Sequence, residues 1–482
     1  MHWRLVIKTI GLLVFCVGLT MLLPLAICLA DGDACTASLE VAVCVTLAAG
    51  LLLYLPCKNT GQIAISSRDA IAIVAFGWAA VGVFGALPFY LSGEFGPLVD
   101  SVFESVSGFT TTGASILTDI ESVSRGLLFW RSFIQWLGGM GIIVLSIAIL
   151  PFIGVGGMQL YKAEVPSPVP DKLKPRIRDT AKILWKVYVL MTAIEVVLLL
   201  FGGMSFFDAV CHALTTLPTG GFSTKNTSID YFNSTYIDSV LIIFMLLAGI
   251  NFSLHYQLLR GKPLAFWKDS ECRFFLGIVI VLVFIVSLNI YGSVYATVGE
   301  SLRYGAFQIA SIVTTTGFAT ADYEQWPALS QLILLLCMIV GASAGSTGGG
   351  VKCLRVMLCL KYCYRELIML IHPHAVKHIK INKEPVPEDV VRSVMGFLAL
   401  YMVIFAVSTL LLAGLGVDFL TSIGAVAASI GNIGPGFGMV GPVENYALIP
   451  DMGKWLLIGC MLVGRLEIFT IIILLVPEFW RR

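Results

Sequence analysis

Charge is what this chain has little of. Of its 482 residues, 13% are Asp, Glu, Lys or Arg and 57% are hydrophobic, with a mean hydropathy of +0.90. That leaves too little polar surface to cover a soluble globule. An excess of either sign is also missing, since 31 Lys and Arg stand against 30 Asp and Glu for a formal net charge of +1. Nucleic acid is therefore not expected as a partner, because phosphate binding relies on clustered cationic excess. There are 12 cysteines but no CxxC, and Cys16, Cys44, Cys337 and Cys460 lie inside apolar runs. They read as small hydrophobes rather than redox or metal groups. No polar dyad or metal cluster is visible on facing apolar segments, so the chain is not expected to be an enzyme.

What is present is a series of long apolar runs. A hydrocarbon core needs about 20 apolar residues per helix, and spans are expected near 5–30, 37–57, 69–92, 127–155, 180–203, 236–259, 274–296, 328–344, 351–371, 391–415 and 453–477. The pair around Gly345 reads as two halves of one interrupted helix. The first run, with Arg4 and Lys8 before it, is longer than a signal segment and leads into further spans, so it reads as a retained helix. With the N-terminus inside, the Lys and Arg residues fall on the inner side except for Arg125, Arg131, Lys225, Arg303, Lys454 and Arg465. The positive-inside rule then places both termini in the cytoplasm.

Four stretches fail the length test in the same way: "VDSVFESVSGFTTTG", "FFDAVCHALTTLPTG", "ESLRYGAFQIASIVTTTG" and "VDFLTSIGAVAASIGNIG", ending at Gly113, Gly220, Gly317 and Gly434. Each lies between two spans on the outer side and begins with an acid, Asp100, Asp208, Glu300 or Asp418, which suits the positive end of a helix macrodipole. Each apolar part is roughly 10 to 12 residues, about half the membrane thickness at 1.5 Å per residue. Such segments enter and turn back, and irregular backbone at that depth is tolerated only where protein or a water-filled cavity satisfies it. Four units of span, half-helix, glycine loop and span would aim four negative helix ends and four short extended backbones at one point. Carbonyl dipoles in that arrangement suit a dehydrated monovalent cation.

At this point the chain resembles the Trk/Ktr/HKT superfamily of potassium transporters, and within it the bacterial Trk potassium-uptake subfamily. The resemblance rests on "FESVSGFTTTGAS", "RSFIQWLGGMGIIVLSIAILP", "GGMQLYKAE", "GGFSTKNTSIDYF", "GASAGSTGGGVK", "NIGPGFG" and "WLLIGCMLVGRLEIFT", in the family's order. It implies an all-α polytopic membrane protein, with two N-terminal helices (1–68) and four pseudo-fourfold membrane-pore-membrane repeats around one central ion pore. The repeats fall at 69–165, 166–268, 269–385 and 386–482, with filter loops 110–115, 217–224, 314–320 and 431–438. The implied potassium ligands are the carbonyls of Thr111, Thr112 and Gly113; Pro218, Thr219 and Gly220; Thr315, Thr316 and Gly317; and Asn432, Ile433 and Gly434. Potassium in the filter is the only bound species implied. A serine at the first filter glycine goes with sodium passage in related plant transporters, so Gly113 points to potassium. Pro218 departs from the family, which more often has an aliphatic residue before the glycine. The resemblance further implies a homodimer in the bacterial inner membrane, gated by a cytoplasmic ring of nucleotide-binding TrkA-type subunits.

Two further features stand out. "GASAGSTGGGVK", residues 341–352, fails the spacing of a phosphate-cradling P-loop and lies in an apolar run. Its glycines, at about 1 kcal/mol each relative to alanine, cannot hold a helix. By resemblance, Gly345, Ser346, Thr347, Gly348, Gly349 and Gly350 form an intramembrane gating loop beneath the third filter; close helix packing through small residues is the alternative. Arg465, expected near mid-helix in the last span, costs at least about 2.5–3.5 kcal/mol there and is by default functional. It is expected to face the pore below the filter, or else to pair with a buried carboxylate such as Glu195; Glu467 lies off its helical face. His372, His374 and His378, with the basic segment 172–186, read as a docking surface for the regulatory subunit. A cation-coupled secondary transporter with a broken-helix substrate site is the competing reading, although it predicts two inverted repeats rather than four parallel units.

Overall fold

The computed structural model describes residues 1–59, 66–148, 173–374 and 377–481, with backbone alone for 143–148 and 173–180. The motif "GGMQLYKAE", the end of the span expected at 127–155 and the start of the basic segment 172–186 lie outside the described residues. The described chain is helical; its only strands are the antiparallel pair Lys380–Ile381 and Glu384–Pro385. The all-α expectation holds.

Six helical stretches are long and apolar enough to cross a membrane: Trp3–Asp31, Thr36–Cys57, Ser67–Ser92, Ala181–Phe201, Ser270–Ile290 and Glu388–Gly414. Arg125–Ala148 adds a helix of 24 residues. The first two pack backbone against backbone. A Cβ placed on Gly50 would lie 2.6 Å from the Phe15 amide nitrogen. In lipid, where apolar side chains gain little from leaving one solvent for another, such close approach of small residues holds helices together.

Two expected straight spans are broken. Thr235–Ala248 and Phe252–Leu259 meet at 102°, and Asp451–Arg465 and Ile468–Leu475 meet at 117°. At the first break the Asn251 side chain accepts from Ser253 N at 2.8 Å and so caps the second helix, while Phe252 N donates to Gly345 O at 3.1 Å. At the second, Glu467 takes a positive φ of 59° and its carboxylate pairs with Arg355. Arg465 is therefore the last residue of its helix rather than a mid-helix residue. Each bent pair still has the mean hydropathy of a single span, which is why the sequence alone reads them as straight.

Four short helices match the expected half-helices: Leu98–Phe109, Phe206–Thr216, Val298–Val313 and Phe419–Gly431. Ser205, Thr297 and Asp418 cap the last three through their side chains, accepting from Asp208 N, Glu300 N and Thr421 N. Satisfying the exposed N–H groups of a first turn in this way stabilises a helix by about 1 kcal/mol. Asp100, in the first turn of the first short helix, is held instead by Lys454 Nζ at 2.6 Å.

That pair belongs to a pattern. The outer cations left over by the positive-inside count each have a counterpart: Arg125 with Asp31 at 3.2 Å, Arg131 with Glu104 at 2.5 Å, Arg303 with Asp238 at 2.6 Å, and Lys225 over the Tyr231 ring at 4.3 Å. Lys454 is 3% exposed and the Asp100 side chain 14%, so removing the amine leaves a partly buried carboxylate without its cation. Lys454→Ala is expected to destabilise by about 1.5–3 kcal/mol, measured as a lower thermal midpoint in detergent. Adding Asp100→Ala should restore most of the loss.

Candidate ion-permeation site

Each short helix ends in the same way. Within three residues of its end, one residue takes a left-handed backbone: Thr111 at φ 52°, Thr219 at 58°, Thr315 at 61° and Asn432 at 54°. The next N–H reaches back five residues: Thr112 to Ser107 O (2.8 Å), Gly220 to Thr215 O (2.8 Å), Thr316 to Ser311 O (2.8 Å) and Ile433 to Ala428 O (2.9 Å). This is a Schellman closure. Three of its four left-handed positions hold threonine, a residue that costs about 1–3 kcal/mol there. Strain repeated at four equivalent positions marks a constrained site.

Two residues on, a glycine takes positive φ in every loop: Gly113 at 80°, Gly221 at 76°, Gly317 at 85° and Gly434 at 100°. These glycines build a closed ring. A Cβ on Gly113 would overlap Gly220 O, one on Gly221 would overlap Thr316 O, and one on Gly317 would overlap Ile433 O. A Cβ on Gly434 would lie 2.8 Å from Thr112 O, which returns to the first loop. The four loops thus touch in cyclic order, each glycine against the preceding residue's carbonyl in the next loop.

Dihedrals and hydrogen bonds fix a register that the sequence misaligned by one residue in the second loop. Gly221, not Gly220, stands with Gly113; Gly220 stands with Thr112 and Thr219 with Thr111. Pro218 stands with Thr110, on the helix side of the left-handed residue, where its missing N–H is harmless. The adjacent glycines in "PTGG" left the choice open, and only the backbone angles resolve it.

Side chains beyond the expected ligand residues, together with Asn432, hold these loops. Gln135 Nε2 donates to Gly220 O at 2.8 Å, and Gln135 Oε1 accepts from Phe222 N at 3.2 Å. The Arg131–Glu104 pair is buried; Glu104 also accepts from Ile116 N at 3.0 Å, and Arg131 donates to Ser223 O at 2.8 Å. First and second loops are thereby tied together on their exit side. Ser107 and Ser311 donate to Ala114 O (2.6 Å) and Phe318 O (2.7 Å). Tyr446 donates to Gly434 O at 2.7 Å. Asn432 Nδ2 donates both to Thr112 Oγ1 at 2.9 Å and to Met461 O at 3.0 Å. Gln135 and Arg131 fall in "RSFIQWLGG", where a buried polar pair four residues apart in an apolar helix was a readable signal.

Residues 341–352 form no helix, as expected from their glycines. The segment lies across the ends of three short helices. Thr347 Oγ1 donates to Leu217 O at 2.9 Å and Gly349 N to Thr315 Oγ1 at 2.7 Å; a Cβ on Gly349 would overlap Gly431 O. Lys352 Nζ donates to Gly348 O. Arg465 Nη1 donates to Thr347 O at 2.7 Å, so the two features that the sequence offered separately are in contact. Arg465 Nε and Nη2 have no hydrogen-bond partner among the described residues, and its expected alternative, an ion pair with Glu195, is not formed. Glu467 points elsewhere, to Arg355. Glu271, which the sequence did not single out, accepts from Ala344 N at 2.7 Å and Leu354 N at 3.1 Å, bracketing this segment.

His372, His374 and His378 are exposed, and among the described residues they form no group with metal-ligand spacing. The one such group is Cys28, Asp33 and Cys35, at the turn between the first two spans and away from the ring.

The family model described as "TrkH: Cation transport protein" matches residues 39–482. The chain is 42% identical over 490 residues to the Trk system potassium uptake protein TrkH of Salmonella typhimurium, covering all of both proteins. It is 36% identical over 483 residues to the Trk system potassium uptake protein TrkG of Escherichia coli, covering all of this chain and 99% of that one. The crystal structure of the potassium transporter TrkH from Vibrio parahaemolyticus superposes with a TM-score of 0.91 at 37% identity, covering all of both chains.

The register makes a discriminating prediction. Gly221→Ser puts a side chain at φ 76° against a backbone carbonyl, whereas a Cβ at Gly220 meets only the Gln135 side chain. Gly221→Ser is expected to cut rubidium-over-sodium discrimination at least about tenfold, the effect of one lost coordination-grade contact of about 1.4 kcal/mol. Gly220→Ala should cost less. Vesicle flux with each ion in turn measures both, and the reverse ranking would restore the alignment of Gly220 with Gly113.

Proposed function

This chain belongs to the TrkH cation transport protein family, and on that premise we propose that it takes potassium into a bacterial cell across the inner membrane. The observation that carries the reading is the closed ring of four loops, each with a left-handed residue and a positive-φ glycine packed against its neighbour's carbonyl. Four helix C-termini end at that ring, so their partial negative charge favours a cation there. Backbone carbonyls replacing water suit a monovalent ion whose hydration is weak enough to be exchanged. In the structural register, the ligands are carbonyls among Thr111–Gly113, Thr219–Gly221, Thr315–Gly317 and Asn432–Gly434. The four units around the ring are the four repeats, preceded by two N-terminal spans.

The segment 341–352 is the gate. It crosses the ends of three of the four filter helices, and Arg465 holds it through Thr347 O. A guanidinium beneath the filter raises an electrostatic barrier to any cation, and the segment itself fills the path. Opening requires both to leave. A cytoplasmic nucleotide-binding subunit of TrkA type would supply the work, docking on the inner side, and a second copy of the chain would complete a homodimer. Transport of this kind forms no covalent intermediate, which fits a protein that is not an enzyme.

A coupled mechanism has one observation in its favour. Glu195 is fully buried, and neither carboxylate oxygen has a hydrogen-bond partner among the described residues. A bare carboxylate at membrane depth is held neutral or meets a cation, and a proton carried there would couple uptake to a proton gradient.

Rubidium uptake by purified protein in vesicles separates these readings. Passive transport predicts uptake that follows the rubidium gradient alone, at the same rate with or without a proton gradient. A rate that depends on the proton gradient and loses that dependence in Glu195→Gln would establish coupling instead. Arg465→Ala is expected to raise basal uptake at least about tenfold, the worth of one charge-assisted hydrogen bond; an unchanged rate in folded protein would remove Arg465 from the gate.

A further inference from the structure

Three consecutive residues, Asp269, Ser270 and Glu271, join the gate to a small exposed hairpin on the inner side. Glu271 opens the helix Ser270–Ile290 and is 6% exposed. Its Oε1 accepts from Ala344 N at 2.7 Å and from Leu354 N at 3.1 Å. These two N–H groups flank the segment 345–352, so one carboxylate oxygen pins both ends of the gate. The two preceding residues are held by the hairpin Lys380–Pro385. Asn382 Oδ1 accepts from Ser270 N at 2.8 Å, and Asn382 Nδ2 donates to Asp269 Oδ2 at 3.0 Å. Asp269 in turn caps the helix by accepting from Cys272 N at 2.7 Å. The hairpin tip is a tight turn, with Asn382 at φ 49° and Lys383 at 73°. Its first strand, Lys380–Ile381, is tied to the helix Cys353–Ile371 that follows the gate, since Lys361 Nζ donates to Lys380 O at 2.7 Å.

We propose that Glu271 is the latch of the gate and that the hairpin 380–385 is the handle that works it. The proposal rests on the reading of 341–352 as a gate and assigns its regulation. A charged acceptor shared by two amides closes the segment into a fixed loop, and such bonds are roughly twice as strong as neutral ones. The tip of the handle is exposed and Asn382 is bonded to the residues next to the latch, so a displacement of Asn382 reaches Glu271 through two peptide units. Glu271 acts through the backbone of the gate and touches no ion; it is a positioning residue.

The test uses the full chain in vesicles, with basal rubidium and sodium uptake measured without any partner. Glu271→Ala is expected to raise basal rubidium uptake at least about tenfold. Glu271→Gln, which keeps a neutral acceptor, should raise it by a smaller factor and serves if the alanine variant fails to fold. Both should keep the rubidium-over-sodium ratio of the parent. Asn382→Ala should raise basal uptake in the parent and add less than that full factor in the Glu271→Gln background, where the latch is already weakened, because the handle acts only through the latch. Unchanged basal uptake in folded Glu271→Gln, or independent multiplication of the two effects, overturns the proposal. Loss of ion discrimination in the Glu271 variants also overturns it, because the carboxylate would then be supporting the filter. If even the parent shows no discrimination between the ions, the pore reading itself fails.

A second observation carries a separate inference. Cys28 and Cys35 bring their Sγ atoms to 2.8 Å, both buried, at the turn between the first two spans. That turn is on the outer side under the proposed orientation, where thiols are oxidised. We infer that they form a disulfide by exchange with a thiol oxidoreductase of that compartment. The two thiols lose two protons and two electrons to form the S–S bond, and the oxidoreductase disulfide takes them up to become two thiols. Protein extracted from membranes, denatured and treated with a maleimide before reduction should leave two of its 12 cysteines unlabelled, and none in Cys28→Ser/Cys35→Ser. Full labelling without reduction would overturn the inference, including the case where the same thiols hold a metal.

Discussion

A helix that stops inside a membrane exposes backbone groups that lipid cannot satisfy, and the fold is organised around meeting that requirement. The four short helices meet it by closing on themselves, through left-handed residues and N–H bonds reaching back five positions. The segment 341–352 and the residues after it meet it by borrowing acceptors from their surroundings: Thr315 Oγ1 for Gly349 N, Glu271 for Ala344 N and Leu354 N. The sharp bend near Asn251 is met from the other direction, with Phe252 N donating to Gly345 O of that segment. Broken segments thus satisfy one another, which places them against one another near the ring.

This mutual satisfaction explains how the segment 341–352 is held without a helix of its own: its bonds go to side chains and carbonyls of other elements. Arg465 follows the same logic. It uses one of its nitrogens on Thr347 O while Nε and Nη2 remain without partners among the described residues. A buried cation only partly satisfied is a costly arrangement, and this one sits at a helix end against that segment.

Charge elsewhere cross-links the helices around the ring. Glu104, Asp100 and Asp238 each hold a cation from another helix. The ring glycines then need only the close approach those links enforce. Were the four loops free to drift apart, a Cβ at Gly113 or Gly317 would meet nothing.

Much of this was legible in the sequence because it depends on local chemistry. Apolar length, the acid at the start of each half-helix and the glycines that stop it follow from how far a helix reaches and which residues tolerate positive φ, and these fix the helical membrane class and the four loops. Tertiary structure alone decided the rest. It chose Gly221 over its neighbour Gly220, since both glycines permit the turn and only the realised backbone angles and the contact with Thr316 O distinguish them. It bent two spans whose mean hydropathy is that of a straight helix, because the breaks are satisfied by residues about a hundred positions away. It brought Arg465 to Thr347 and Glu271 to Ala344 and Leu354 for the same reason: a hydrogen bond between distant segments leaves no periodicity in the chain, and it exists only once the helices have packed.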